Sequence, residues 1–159
     1  MDELMLFTDG SVNIQSKIGY GAYLAVFDQE LSLESLRKNI KVKRFEQTSS
    51  TKLELQTLLW ALNDIQALGC KVVVYTDSQN IIGLPDRRER LEKNEYRSKN
   101  NKLLNNYELY EEFYRISDQI DFELVKLRGH QAASKKNEID RVFTLVDRVS
   151  RNALRKEKC

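Results

Sequence analysis

Two aspartates follow hydrophobic runs in nearly the same local sequence. Asp9 lies in LMLFTDGS and Asp77 lies in VVVYTDSQ, so each carboxylate comes directly after apolar residues and a threonine. A single Asp-Gly pair is most often a turn signal, which is the alternative interpretation of Asp9. The repeated pattern favours a site, because functional groups in α/β sheets gather beyond the carboxyl ends of strands. If the two strands are parallel neighbours, both carboxylates project from the same edge of the sheet.

Glu54 is the third candidate acid, and it lies on a predicted helix. In the segment TKLELQTLLWAL it shares a helix flank with Leu58, Ala61 and Ile65, so its side chain is turned toward the sheet. The alternative is an acidic residue of the first helical turn, which the helix dipole favours.

A cluster of these three acids requires cations. Crowded carboxylates in a partly buried site repel one another and lose hydration unless positive charge neutralises them. The chain has one histidine and two cysteines, Cys70 and Cys159, without the spacing of a zinc site. Oxygen ligands alone select a hard ion such as Mg²⁺ or Mn²⁺. Two such ions about 3.5–4 Å apart can activate water for phosphodiester hydrolysis.

Composition and charge indicate the class of protein that would carry such a site. The 159 residues, 41% of them hydrophobic and 31% charged, predict a soluble chain with one domain, residues 1–159. A membrane-spanning run and an export signal are both missing, so we expect a cytoplasmic protein without a membrane partner. The net charge is only +2, yet Asp86–Lys102 has seven basic against four acidic residues, and Ser134–Cys159 has eight against four. This asymmetry favours a polyanionic partner, although solvated helix faces produce the same counts.

The hydrophobic periodicity changes along the chain and predicts eight elements. Strands are expected over Leu4–Thr8, Gly19–Phe27 and Asn39–Phe45, the last with the alternation of an exposed edge strand. There follow a helix that ends at Gly69, a buried strand over Val72–Tyr75, helical segments from Asn80 to about Asp118, a strand over Ile120–Leu127 and a final helix from near Ser134. The order β-β-β-α-β-α-β-α predicts an α/β (α+β mixed) fold, with a five-stranded mixed sheet and helices on both faces.

In order and spacing, the segments FTDGS, TKLELQTLLWAL, VYTDSQ and KLRGH resemble the motifs of type 1 ribonuclease H, from Leu4 to about Leu154. The resemblance implies a ribonuclease H-like fold and a four-carboxylate site that binds two divalent ions, Mg²⁺ with Mn²⁺ as a substitute. It also implies endonucleolytic cleavage of the RNA strand of RNA/DNA hybrids, which leaves 5′-phosphate and 3′-hydroxyl ends. Asp9, Glu54 and Asp77 match the family's first three metal ligands.

The fourth acid has two candidates on the last predicted helix. Asp140 lies ten residues after His130, the interval usual in the family. Asp147 precedes the small residues Ser150 and Ala153, which suit close packing of the helix on the sheet. We prefer Asp147 and keep Asp140 as the alternative. The resemblance also implies that His130 moves protons near the leaving group; a partly buried structural histidine is the alternative.

The substrate contacts implied by the resemblance lie beside the acidic motifs. The side chains expected to hold the hybrid, in part by reading the 2′-hydroxyl of RNA, are those of Ser11, Ser50, Thr51 and Gln79. The first loop, VNIQSKIGYG, departs from the glycine-rich loop of the family, so Asn13 within it is a further candidate that the resemblance does not supply. Helix capping is the alternative for Ser50 and Thr51.

A basic segment follows the second aspartate motif. The stretch DRRERLEKNEYRSKNNK, which includes Arg87 and Arg88, occupies the place of a protrusion that holds the DNA strand in some family members. An RNA/DNA hybrid is therefore the expected partner, and a monomer is the expected state. The alternatives are a non-catalytic hybrid-binding module and a nuclease of the same fold that acts on a different nucleic acid.

Overall fold

Five strands form one mixed sheet, and helices cover both of its faces. The computed structural model describes residues 3–27, 33–65, 70–127 and 138–157. The elements are β1 (Glu3–Asn13), β2 (Ile18–Phe27), α1 (Leu33–Arg37), β3 (Lys41–Phe45), α2 (Ser50–Ile65), β4 (Lys71–Thr76), α3 (Gln79–Ile82), α4 (Leu84–Lys93), α5 (Tyr107–Gln119), β5 (Phe122–Lys126) and α6 (Glu138–Arg155). The spatial order of the strands is β3-β2-β1-β4-β5, with β4 parallel to both β1 and β5. The predicted fold class is confirmed.

One helix lies where the sequence pattern predicts none. The segment between β2 and β3 contains α1, which is only five residues long. A helix of this length covers little more than one turn, so it cannot show the repeated apolar spacing by which longer helices are recognised.

The first strand continues through the residues at which the sequence pattern predicts its end. Strand β1 pairs with β2 antiparallel from Leu4 to Asn13, but it pairs with β4 in parallel only from Glu3 to Phe7. The prediction that the strand stops at Thr8, just before Asp9, is therefore wrong. The Asp-Gly pair makes no turn, because β2 continues to supply hydrogen-bonding partners along this part of β1. Asp9 nevertheless lies just beyond the parallel part of the sheet.

Alternate residues of β1 face two separate hydrophobic cores. Leu6 faces the core that includes α2 and α5, whereas Met5 and Phe7 face the core that includes α6. Phe7 is fully buried and stacks on Tyr75 of β4, with 4.9 Å between the ring centroids. Because side chains of a strand alternate between faces, Asp9 lies on the face covered by α6.

Glycines allow α2 to lie close to β1 and β2. A Cβ atom added at Gly10 or at Gly19 would come within 2.8 Å of Leu53 Cδ2, and one added at Gly21 would overlap Thr57 Oγ1. These three glycines face α2, so the helix approaches the backbone more closely than any side chain would allow. The close approach fixes the first turns of α2, which carry Glu54.

No helix in the described ranges is both long enough and apolar enough to span a bilayer.

Replacing Gly21 with alanine is expected to destabilise the fold. The added methyl group would overlap Thr57 Oγ1, so α2 must move, and overpacking of this kind costs about 1–3 kcal/mol. Urea denaturation measures the change in the free energy of unfolding. Gly83→Ala is the matched control, because its Cβ would meet no atom closer than 3.5 Å and its backbone is already helical. Equal stability of Gly21→Ala and Gly83→Ala would contradict the role given to this close approach.

Candidate active site

Helix α6 brings Asp147 to Asp9. Val142, Val146 and Ser150 are buried on the side of α6 that faces the sheet. The hydroxyl oxygens of Ser11 and Ser150 lie 3.1 Å apart, which fixes the helix against β1. In this position Asp147 lies close enough to Asp9 to raise the pKa of the Asp9 carboxyl group.

Glu54 and Asp77 complete a group of four acids. Asp77 directly follows β4, and its charge acts on Asp9 and on Glu54. Ser78 lies near Glu54 and acts to lower the pKa of its carboxyl group, and the Ser78 hydroxyl oxygen accepts the backbone N–H of Ile81 at 3.2 Å. Ser78 therefore favours the charged form of Glu54 and caps α3 at the same time. The sequence analysis did not select Ser78, although it stands within the TDS motif.

The positive charge near the candidate site is too small to keep the pKa values of Asp9, Glu54 and Asp77 at their ordinary levels. Burial, the interaction with Asp147 and repulsion from Asp77 raise the pKa of Asp9 from 3.8 to about 9. Burial also raises the pKa of Glu54, although Ser78 opposes this, and burial and the charge of Asp147 raise the pKa of Asp77. Raised carboxyl pKa values mean that the charged forms are destabilised where they stand.

The donor set fits a hard divalent cation. All four candidate ligands are carboxylates, and each raised pKa reports a deficit that a bound cation would remove. Within the described ranges no three acidic, histidine or cysteine side chains already converge as a closed metal cage. The carboxylates are thus neighbours whose charges act on one another, without the arrangement of a closed metal site.

Two cations that the sequence analysis did not single out lie at the edge of this group. Arg151 Nε donates to Asp147 Oδ1 at 3.0 Å, and the charge of Arg151 lowers the pKa of Asp77. Lys126, at the end of β5, also lowers the pKa of Asp77 and donates to Gln79 Oε1. The sequence does contain a signal for Arg151: it lies four residues after Asp147, a spacing that places the two side chains next to each other on a helix.

Asp140 lies apart from the four acids. It precedes Asp147 by seven residues on α6, which corresponds to about 10 Å along the helix axis. Its backbone carbonyl accepts the hydroxyl of Thr144, and its charge is not among the main causes of the pKa shifts of Asp9, Glu54 and Asp77. His130 lies outside the described residues.

The polar side chains predicted to contact substrate fall into two groups. Three already have partners within the protein: Ser11 bonds to Ser150, Asn13 Oδ1 accepts the N–H groups of Gln15 and Ser16, and Gln79 accepts from Lys126. Ser50 and Thr51 are exposed in the first turn of α2. Their alternative role as helix caps belongs instead to Ser49, whose hydroxyl accepts the N–H of Lys52 at 3.3 Å.

The two predicted arginine contacts have different surroundings. Arg88 bonds to both carboxylate oxygens of Asp118, at 2.7 and 2.8 Å, and also to Glu92. Arg87 donates to Asn80 and borders a cavity of about 650 Å³, which is also lined by Arg90, Arg97 and Lys99. Among the residues that the structure describes, no acid lines this cavity, which we call the basic cavity.

Stability of the metal-free protein is expected to fall as the pH rises. Because the pKa of Asp9 is 3.8 ordinarily and about 9 in the folded chain, the folded state holds a proton that the unfolded chain has released. Stability is therefore lost progressively between about pH 4 and pH 9. Thermal melts in a chelator should show this decrease in the wild type and a flatter profile in Asp9→Asn.

The Asp140→Asn variant is the matched control for that experiment and should follow the wild-type profile. Addition of Mg²⁺ at pH 8 should raise the melting temperature of the wild type more than that of Asp9→Asn, since a ligand stabilises the state that binds it. Parallel pH profiles for wild type and Asp9→Asn would show that Asp9 ionises normally.

Comparisons with known proteins place the chain in a family. The RNase H family model matches residues 1–152. A protein named Ribonuclease H from Acetivibrio thermocellus is 25% identical over 156 residues, which cover 96% of this chain and 99% of that protein. A protein of the same name from a Thermoanaerobacter species is 26% identical over 160 residues, which cover 99% and 97% of the two chains.

A solved structure has the same fold. The foamy viral protease-reverse transcriptase in complex with dsDNA superposes with a TM-score of 0.66 over 95% of this chain and 94% of that chain. Sequence identity is only 8%, so this likeness bears on the fold alone. The family match and the two relatives confirm the resemblance drawn from the motifs: the chain belongs to the ribonuclease H family.

Proposed function

We propose that this ribonuclease H hydrolyses the RNA strand of RNA/DNA hybrids at Asp9, Glu54, Asp77 and Asp147, and leaves 5′-phosphate and 3′-hydroxyl ends. Family membership supports ribonuclease H activity on hybrids. The observation that carries the site assignment is the 3.1 Å contact between the hydroxyls of Ser11 and Ser150, which sets α6 and its Asp147 against the strand that carries Asp9. The charges of Asp77 and Asp147 both raise the pKa of Asp9, which agrees with this placement.

The four carboxylates would hold divalent cations. Members of the family generally use divalent metal ions, and the all-oxygen donor set favours Mg²⁺, with Mn²⁺ as a substitute. A pair of bound ions would supply an activated water and stabilise the leaving oxygen. The chain's own contribution is to prepare the ligands: Ser78 favours the charged form of Glu54, and Arg151 holds Asp147.

Exposed hydroxyl groups near Glu54 would distinguish RNA from DNA. Ser50 and Thr51 lie in the first turn of α2, one turn before Glu54, and Ser49 already caps the helix. Their hydroxyls are therefore available to the 2′-hydroxyl groups that only the RNA strand carries. We retain the proposal that His130 transfers a proton near the leaving oxygen, which follows from the KLRGH motif.

The basic cavity would bind phosphates of the DNA strand. Arg87, Arg90, Arg97 and Lys99 supply its cations, and none of the described carboxylates lines the cavity to neutralise them. Arg88 is a weaker candidate than the sequence pattern predicts, because Asp118 and Glu92 already bind its guanidinium group. Contacts of this kind provide affinity without base specificity.

Loss of a carboxylate from the site is expected to abolish turnover. Asp9→Asn, Asp77→Asn and Asp147→Asn should each lower kcat at least about 100-fold, since loss of a metal ligand removes several kcal/mol of transition-state stabilisation. The measurement is cleavage of a labelled RNA/DNA hybrid in Mg²⁺, with duplex DNA, duplex RNA and single strands as comparison substrates. Only the hybrid should be cut.

Asp140→Asn is the matched control in that series and should retain activity. Activity lost in Asp140→Asn and kept in Asp147→Asn would reverse the assignment of the fourth acid. Cleavage of plain duplex DNA would show a nuclease of different specificity. Binding of the hybrid without cleavage by the wild type would show a non-catalytic binding module.

The basic cavity makes a separate prediction about salt dependence. Arg90→Gln/Arg97→Gln should weaken hybrid binding and reduce the slope of log affinity against log salt by about two, because each arginine neutralises one phosphate. Arg88→Gln should change the slope less, because its charge is already paired. Fluorescence anisotropy in a chelator at several KCl concentrations provides the slopes. An equal or larger change in Arg88→Gln would contradict the assignment of the cavity.

A further inference from the structure

A patch of lysines and aromatic rings lies where the edge strand β3 meets helix α2. Lys41, Lys43 and Phe45 share one face of the edge strand β3, and Trp60 of α2 packs beside them. The Lys43 ammonium lies 5.4 Å from the ring centroid of Phe45 and 5.8 Å from that of Trp60. The rings of Trp60 and Tyr23 are in edge-to-face contact at 4.7 Å. We call Lys43, Phe45 and Trp60 the lysine-aromatic patch.

Unlike the two other basic residues of β3, Lys41 and Arg44, Lys43 forms no ion pair within the described part of the chain. Lys41 pairs with Asp64, and Arg44 pairs with Glu157 and Glu46. The side chain of Lys43 is exposed. The charge of Lys43 acts on Asp64, which pairs directly with Lys41 instead. The two rings lie beside the Lys43 ammonium without neutralising it, so its charge can attract an anion.

The patch lies on the α2 face of the sheet, which is opposite to the face of Asp9, but at the same level along the strands. Gly10, which follows Asp9, pairs with Gly21 on β2, and Gly21 pairs with Lys43 on β3. Two strand spacings, about 10 Å in all, therefore separate Lys43 from the β1 residue next to Asp9. Helix α2, which carries Glu54, also carries Trp60 of the patch.

We propose that the lysine-aromatic patch is a second phosphate-binding surface, at which Lys43 contacts the backbone of the nucleic acid held by the carboxylates. A duplex carries one negative charge for about every 1.7 Å of its length, so a hybrid that reaches the carboxylates presents several phosphates within about 10 Å of them. The continuity of this polyanion with the site favours nucleic acid over an acidic protein as the occupant. The inference rests on the proposed function. A lysine that only prevents edge-to-edge pairing of β3 would need no rings around it.

The test compares Lys43→Gln with Lys71→Gln on the full chain. Lys71 is also an exposed strand lysine, but it lies at the opposite end of β4 from Asp77 and pairs with Glu123. Both variants remove one positive charge. Affinity for an RNA/DNA hybrid of about 20 base pairs is measured by anisotropy in a chelator, from about 50 to about 300 mM KCl, and cleavage kinetics are measured in Mg²⁺.

Lys43→Gln should bind about threefold to tenfold more weakly at low salt, with a salt slope reduced by about one. Its KM should rise while kcat stays unchanged, because Lys43 is remote from the reacting phosphate. Lys71→Gln should match the wild type. Circular dichroism melts verify that both variants are folded.

Failure of the inference and failure of the proposed function would produce different results. Equal affinities and salt slopes for Lys43→Gln and Lys71→Gln, with hybrid cleavage intact, would overturn the inference and leave the proposed function standing. A wild-type protein that neither binds nor cleaves the hybrid would overturn the proposed function itself.

Discussion

The mutual repulsion of neighbouring carboxylates is the constraint on which the rest of the candidate site depends. Asp9 is half-buried, and its burial together with the charges of Asp77 and Asp147 raises its pKa to about 9. A fold can keep such groups together only if stronger interactions fix the elements that carry them. The continuous pairing of β1 with β2, the close seating of α2 on three glycines and the buried stripe of α6 provide those interactions. The repulsion among the acids is thus a local cost in stability, which the surrounding elements offset.

The order of the elements and three of the four acids could be predicted from the sequence because their signals are local. Apolar runs that end in Thr-Asp, and a leucine-rich helix of regular period, do not depend on distant partners. The extent of β1 could not be predicted in this way. Asp9-Gly10 has the composition of a turn, and only the opposite strand, with Gly21 across from Gly10, keeps it extended.

The same limit applies to the residues around the acids. Asp140 and Asp147 lie two helical turns apart on one face, so spacing alone cannot decide between them. The preference for Asp147 rests on Val146 and Ser150: their burial and the contact of Ser150 with Ser11 set the position of α6 against β1. Arg88 illustrates a related error: its type and position suit a phosphate contact, but Asp118, on α5, has already bound its guanidinium group. The spacing of motifs in the sequence cannot reveal a partner that is distant along the chain.

The hydroxyl of Ser78 joins two parts of the molecule that are otherwise separate. It starts α3 by accepting the N–H of Ile81, and it also favours the charged form of Glu54, which comes from a different helix. A displacement of α3 would therefore change how readily Glu54 ionises.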